Sequence, residues 1–163
     1  MYIRLATLQD LEALVPLFDG YRVFYRQSSD EDKARSFLKE RLTNLDSVIY
    51  IAFAKSNVGD SRPTGERSGK ADSETAVGFT QLYPIFSSVS MERMYILNDL
   101  YIHADHRNLG IGQALINEVK ELCHKEHQKG IVIQTETTNP AQHLYERLGF
   151  TKDPDLHYFW ATN

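Results

Sequence analysis

Between Glu92 and His127 the chain changes its hydrophobic period once, and glycine marks the change. Glu92 to His103 is rich in β-branched and aromatic residues and reads as a strand. Gly110 to His127 sets Ile111, Leu115, Val119, Leu122 and Cys123 along one face at 3.6-residue spacing and reads as a helix. A strand that turns through Gly110 and Gly112 into a helix brings the open first turn of that helix to the strand's end. The unpaired N–H groups and partial positive charge of such a turn suit a phosphate or pyrophosphate, and glycine leaves the backbone approachable. Arg107 adds a fixed cation. Two common nucleotide sites are excluded by the same residues. There is no Gly-x-x-x-x-Gly-Lys-Ser/Thr run, and the dinucleotide fingerprint lacks its third glycine and would stand mid-chain instead of after the first strand.

The remaining segments supply layers for this unit. Tyr2 to Ala6 alternates like a short edge strand, and Thr7 with Asp10 opens a helical pattern carried by Leu8, Leu11, Leu14, Val15 and Phe18, in which Gly20 is a weak point. A second helix starts at Ser29-Asp30-Glu31-Asp32, whose hydroxyl and carboxylates suit a helix N-terminus, and continues through Phe37, Leu38 and Leu42. Ser47 to Lys55 reads as a buried strand. Residues 56–74, almost without apolar side chains and with three Gly and one Pro, are expected to form a flexible hairpin loop. Thr75 to Tyr83 and Glu92 to His103 are then strands separated by a Pro84-Ile85-Phe86-Ser87-Ser88 loop long enough to reach over a neighbouring cleft. Ile131 to Thr135 is a strand, Pro140 to Leu148 a short helix closed by Gly149, and His157 to Ala161 a last strand. This order predicts one domain over residues 1–163, an α/β or α+β layer fold with a mixed central sheet.

At 163 residues one core suffices, burying roughly two thirds of the unfolded surface. Eighteen basic against 22 acidic side chains give a net charge of −4, without the basic field that dominates nucleic-acid affinity, so direct nucleic-acid binding is not expected. A single cysteine, Cys123, forms no intrachain disulfide and no multi-cysteine metal site, and suits a reducing compartment. No run approaches the ~20 apolar residues of a membrane span, and the opening Met1-Tyr2-Ile3-Arg4 is unlike a signal peptide. The expected location is the cytoplasm, off the membrane. Six histidines invite a metal reading, but His124 and His127 lie on the charged side of their helix with no carboxylate at metalloprotease spacing, and no metal is expected.

The run Arg107-Asn108-Leu109-Gly110-Ile111-Gly112 matches the acetyl-CoA signature of the Gcn5-related N-acetyltransferase (GNAT) superfamily, Arg/Gln-x-x-Gly-x-Gly/Ala, and the chain resembles that superfamily over nearly its whole length. Downstream, Asn139-Pro140-Ala141-Gln142-His143-Leu144-Tyr145-Glu146-Arg147-Leu148-Gly149-Phe150 is similar to the second GNAT signature, at the usual distance. Ile96-Leu97-Asn98-Asp99-Leu100-Tyr101-Ile102 and Tyr21-Arg22-Val23-Phe24-Tyr25 resemble a branch that includes the yeast Hpa2-type enzymes and is related to the diamine acetyltransferases. The resemblance implies a sheet of six to seven strands flanked by about four helices, acetyl-CoA as co-substrate, and a homodimer paired through late strands around His157 to Ala161. It implies that the main chain of Leu100, Tyr101 and Ile102 pairs with the pantetheine arm like an added strand. Arg107, Asn108, Leu109, Gly110, Ile111 and Gly112 would cradle the pyrophosphate, with Gln113, Asn139 and Tyr145 completing the cofactor contacts.

The implied activity is transfer of the acetyl group to a primary amine of a small molecule, such as a polyamine or amino acid, by direct attack through a tetrahedral intermediate. Protein or histone-type lysines are alternative acceptors, and a non-catalytic CoA-binding module is the alternative of a different kind. Cys123, on the apolar face of its helix, reads as a small buried hydrophobe and not as a nucleophile. Tyr145 stands where the family has a general acid beside the departing sulfur; a phenol near pKa ~10 can protonate a thiolate whose conjugate acid is near ~8.5. The acceptor arrives protonated, and the diamine acetyltransferases carry a glutamate where this chain has Asn98, an amide that cannot act as base. Asp99 becomes the candidate base. Neighbouring strand residues point to opposite faces, so only one of Asn98 and Asp99 can face the cleft unless a bulge intervenes. A main-chain N–H near Leu100 is the implied oxyanion donor. Tyr21, Phe24 and Tyr25, with Asn98, Tyr83 and the loop after it, are the candidates for acceptor recognition, since aromatic faces attract cations. An amino acid would also need a cation for its carboxylate, for which Arg22 and Arg26 are available.

Overall fold

A computed structural model describes residues 1–55 and 74–162 of the chain; of the loop expected at 56–74, residues 56–73 lie outside the described residues and Glu74 already belongs to a strand. Strands β1 (Tyr2–Leu5), β2 (Val48–Lys55), β3 (Glu74–Ser87), β4 (Glu92–Ile102) and β5 (Ile131–Ile133) form one open sheet in the order β1-β2-β3-β4-β5. All neighbours are antiparallel except β4 and β5, which run parallel across the crossover helix α3 (Ile111–Lys125). Helices α1 (Leu11–Phe24) and α2 (Glu31–Asn44) cover one face; α3 and the short α4 (Ala141–Arg147) cover the other.

The continuous apolar run of β2 follows from this double cover. Ile49, Ile51 and Phe53 join Leu14, Phe18, Leu38 and Phe79 under α1 and α2, while Tyr50 and Ala52 meet Leu115, Ile116 and Val119 of α3. At the N-terminus, Thr7 and Asp10 close a capping box on a 3₁₀ turn that runs directly into α1, and Asp10 is gripped by Arg4 through two contacts of 2.6 and 2.8 Å. Asp30 caps α2 by accepting from the main-chain N–H of Lys33 at 2.9 Å. Buried Asp19 ties α1 to the start of α2, accepting from Ser29 Oγ at 2.6 Å and Asp30 N at 2.8 Å and pairing with Arg22 at 3.1 Å.

Four expectations change. Gly20 does not interrupt α1, which runs through to Phe24; the missing side chain instead makes room for Tyr101, whose hydroxyl would stand 2.7 Å from a Cβ placed there. Strand β3 begins at Glu74 and continues through Pro84 to Ser87, so the loop expected at Pro84–Ser88 is mostly strand, and only residues 88–91 turn the hairpin. The reason lies in the register: β2 starts at Val48, opposite Leu82, so beyond Leu82 that side of β3 has no neighbour and the N–H that Pro84 lacks is not needed. Among the described residues the sheet has five strands, not six to seven. Residues 151–162 form no strand, and Leu156, Tyr158, Phe159 and Trp160 are exposed. Three-residue β5 offers too short an outer edge to hold an added ladder, and the late strand through which a pairing of two chains was expected is not formed in this chain.

Candidate active site

The register of β4 builds the site. Gln81 pairs with Asp99 but Leu82 pairs with Leu97, so Asn98 is the extra residue of a β-bulge. Before the bulge the odd-numbered Tyr95 and Leu97 pack toward α3; after it the even-numbered Leu100 and Ile102 do so, and Tyr101 packs toward α1. The alternation slips by one residue, and Asn98 and Asp99 come to the same side, with Asn98 Nδ2 donating to Asp99 Oδ1 at 3.1 Å. The intervening bulge that the sequence left open is present.

The bulge also ends the pairing with β5. Parallel partners run only from Tyr95–Ile131 to Leu97–Ile133; beyond Leu97 the two strands part, and Asn98 and the β5-facing edge of Leu100–Ile102 border a cavity of about 550 Å³. Leu100, Tyr101 and Ile102 line it, still held on their other side by Thr80, Phe79 and Gly78. At its far end stands the first turn of α3. Gly110 starts the helix at φ +80°, a conformation open to glycine, with no side-chain cap; the first intrahelical bond is Ala114 N to Gly110 O at 3.0 Å, leaving the N–H groups of Ile111, Gly112 and Gln113 ahead of it at the cavity wall. A free strand edge leading to an uncapped helix start fits an extended arm that ends in a diphosphate, which is the shape of acetyl-CoA. Arg107 lies over the rings of Phe24 at 5.6 Å and Tyr101 at 5.8 Å and donates from Nε to Ile102 O at 3.2 Å, which ties α1 to β4 across the cavity.

Of the residues singled out in the sequence, Arg107, Asn108, Gly110, Ile111, Gly112 and Gln113 all reach the wall. Leu109 does not; it is 65% exposed beside the turn. Tyr21, Phe24 and Tyr25 close the α1 side, Asn98 the β4 side, and Asn139 and Tyr145 the side formed by α4 and the segment before it. Asn139 Nδ2 donates to Tyr25 Oη at 3.2 Å while its Oδ1 accepts from Ala141 N at 3.0 Å, so one amide starts α4 and tethers it to α1. Burial, and then the nearby Tyr25, push the Tyr145 phenol up to about 12, so it stays protonated at neutral pH. Tyr83 is not on the wall, because β3 runs straight past the cavity instead of looping over it. Asp99 is not on the wall either: it is 3% exposed, and burial pushes its carboxyl up to about 6, against the nearby Tyr21 hydroxyl and the Asn98 amide, which favour its charge. Cys123 sits in the core face of α3, away from the cavity, its thiol raised first by burial and then by Glu126. Leu97, His106, Gln134, Leu144 and Arg147 also line the cavity; Leu144 and Arg147 belong to the second motif, and no signal in the sequence marks His106 or Gln134. Among the described residues no three His, Cys, Asp or Glu side chains gather as a metal site, and no helix is long and apolar enough to cross a membrane.

Comparison with known proteins agrees with this geometry. Residues 69–152 match the family model described as an acetyltransferase (GNAT) domain. The chain is 43% identical over 160 residues to YhfO of Bacillus subtilis (strain 168), described as an uncharacterized N-acetyltransferase, covering 97% of this chain and 95% of the relative. A probable acetyltransferase of Haemophilus influenzae is 27% identical over 153 residues, covering 92% and 90%. Among solved structures, a probable acetyltransferase superposes with a TM-score of 0.82 at 34% identity, covering all of this chain and 98% of that one. The chain belongs to the GNAT acetyltransferase family, with the α+β GNAT fold: a mixed open sheet and, among the described residues, four α-helices. Its activity is that of an acetyl-CoA-dependent acyltransferase.

Proposed function

We propose that the chain acetylates the primary amine of a small, cationic acceptor, with Tyr145 protonating the departing thiolate and Asp99 taking up the proton of the ammonium. The observation that carries this reading is the buried carboxylate of Asp99, held by Asn98 next to an aromatic wall of Tyr21, Phe24 and Tyr25, a setting that attracts a cation and can neutralise it. The free edge of Leu100 to Ile102 supports a pantetheine arm laid along β4, and the uncapped start of α3, with Arg107, supports a pyrophosphate there. Oriented in this way, the amine attacks the thioester directly, its carbonyl oxygen polarised by a main-chain N–H near Leu100; buried Cys123 takes no part.

An α-amino acid is a poorer fit than a polyamine or related amine. Arg22 is paired with Asp19 at 3.1 Å and Arg26 with Glu136 at 3.0 Å, so both cations considered for a substrate carboxylate are engaged. The stretches Tyr21–Tyr25 and Ile96–Ile102 support placing the chain beside the Hpa2-type and diamine acetyltransferases, although Asn98 replaces the glutamate of the latter. An acceptor screen that follows free thiol release tests the reading. Polyamines and aromatic or aliphatic amines are expected to turn over at least tenfold faster, in kcat/KM, than amino acids and lysine peptides, on the order of 1.4 kcal/mol of discrimination. Faster turnover of amino acids or of histone-tail peptides would contradict it.

A further inference from the structure

An acceptor with two ammonium groups needs an anion for the one that does not react, and the cavity wall supplies none. Arg107 and Arg147 line it, and no Asp or Glu is among the described residues that do. The carboxylate next to the aromatic end of the cavity is Glu136. It lies between Gln134 and Asn139, both on the wall, and its main-chain oxygen accepts from Asn139 N at 2.9 Å, so the turn that presents Asn139 also fixes Glu136. Its partner is Arg26, which follows the wall residue Tyr25 at the end of α1. The Arg26–Glu136 pair therefore joins the same two segments as the Tyr25–Asn139 hydrogen bond of 3.2 Å.

We infer that Glu136 holds the distal ammonium of a linear diamine or polyamine, and that the Arg26 guanidinium occupies this place until such an acceptor displaces it. Glu136 is then a specificity-determining residue, and Arg26 a competitor built into the chain. The hydrocarbon between the two nitrogens lies against Tyr21, Phe24 and Tyr25. This deepens the proposed function and rests on it.

The geometry of the pair suits an exchange. One guanidinium nitrogen, Nη2, approaches both Glu136 oxygens, at 3.0 and 3.2 Å, as a single ammonium nitrogen can, and the stronger two-nitrogen fork is not made. Ion pairs as exposed as this one are individually weak, so another cation can replace Arg26 at small cost. Only the long side chain has to move. The Arg26 main chain is fixed just past α1 by its N–H bond to Val23 O at 2.9 Å and by that of Gln27 to Arg22 O at 3.0 Å. Its φ of +65° lies in the left-handed region where glycine is the ordinary choice, so the position keeps a side chain against the preference of its backbone. The reverse exchange, in which an acceptor carboxylate takes Arg26, is disfavoured by exposure. The Arg26 side chain is 75% exposed and that of Glu136 45%, so on opening the guanidinium moves out into water and the carboxylate stays beside the cavity.

The test compares linear diamines with alkylamines of equal length, as the ratio of their kcat/KM values, in the wild type, Glu136→Gln and Arg26→Gln. The ratio is expected to fall about fivefold in Glu136→Gln, which loses the anion, and to rise about threefold in Arg26→Gln, which loses the competitor, in both cases through the KM of the diamine. A pair that only braces α1 against the turn at Glu136 is broken equally by either substitution, and the ratio then moves the same way in both variants or in neither. That result, or any other in which Glu136→Gln does not lower the ratio while Arg26→Gln raises it, overturns the inference; turnover of amines by the wild type would still leave the proposed function standing. If the wild type releases no thiol with any amine, the proposed function fails, and nitrogen-15 NMR of the Arg26 Nε decides the exchange separately. Its signal is expected to shift when a diamine is added and to stay in place with the alkylamine of equal length. An equal response to both amines, or none to either, overturns the exchange.

Discussion

Asp99 carries an energetic cost that its neighbours only partly offset. Its carboxyl titrates near 6 in the folded chain against an ordinary value of 3.8, so between those values the folded state binds more protons than the unfolded one and stability falls as pH rises. Above pH 6 the whole penalty applies, on the order of 2–3 kcal/mol. Asp99→Asn keeps the shape and the contact to Asn98 and removes the charge. Its melting temperature is therefore expected to exceed that of the wild type by several degrees at pH 8, with the gap closing as pH falls through 6 and gone below about 4. A gap that is constant with pH, or reversed at pH 8, would contradict the burial of an ionised carboxylate. The residue types at this site were legible in the sequence, where Asp99 stood out as the group able to replace the missing glutamate at Asn98. Its depth was not, because burial depends on α1 closing over β4, a contact between segments some 80 residues apart in the chain.

Elements meet here through close approaches that periodicity does not record. Gly20 is the clearest case: read along the helix it looks like a defect, and read across the interface its missing Cβ leaves the room that the Tyr101 hydroxyl occupies. Tyr101 in turn lies under Arg107, which lines the cavity beside the first turn of α3. Gly20→Ala should gain up to about 1 kcal/mol of helix propensity and lose a similar amount by displacing the Tyr101 ring. Its melting temperature is thus expected near the wild-type value, while the KM for acetyl-CoA rises by about fivefold, as steady-state kinetics at saturating amine would report. An unchanged KM would mean that the Tyr101 ring and Arg107 are not coupled to cofactor binding. The same contrast explains the loop that became strand. Pro84 signals a break wherever both edges of a strand are paired, and the local sequence cannot show that β2 has already ended opposite Leu82.

At the scale of the molecule, the order of elements and the strand-to-helix turn were readable because each depends on a local signal: the 3.6-residue face of α3, the cap residues Thr7 and Asp30, the glycines at 110 and 112. What was misread depends on partners. The last segment has a strand's composition, but a three-residue neighbour gives it nothing to pair with, and its aromatic side chains stay in solvent. The divergence of β4 from β5, which opens the cavity, likewise follows from a single extra residue at Asn98 that no pattern in the sequence announces. That opening is the central claim: an extended cofactor lies along Leu100 to Ile102 and ends on the first turn of α3. Amide chemical-shift mapping with acetyl-CoA by nitrogen-15 NMR tests it most directly. The largest shifts are predicted at Leu100, Tyr101 and Ile102 and at Ile111, Gly112 and Gln113, saturating together with a single affinity; shifts centred elsewhere in the sheet, or none at these six amides, would contradict the account.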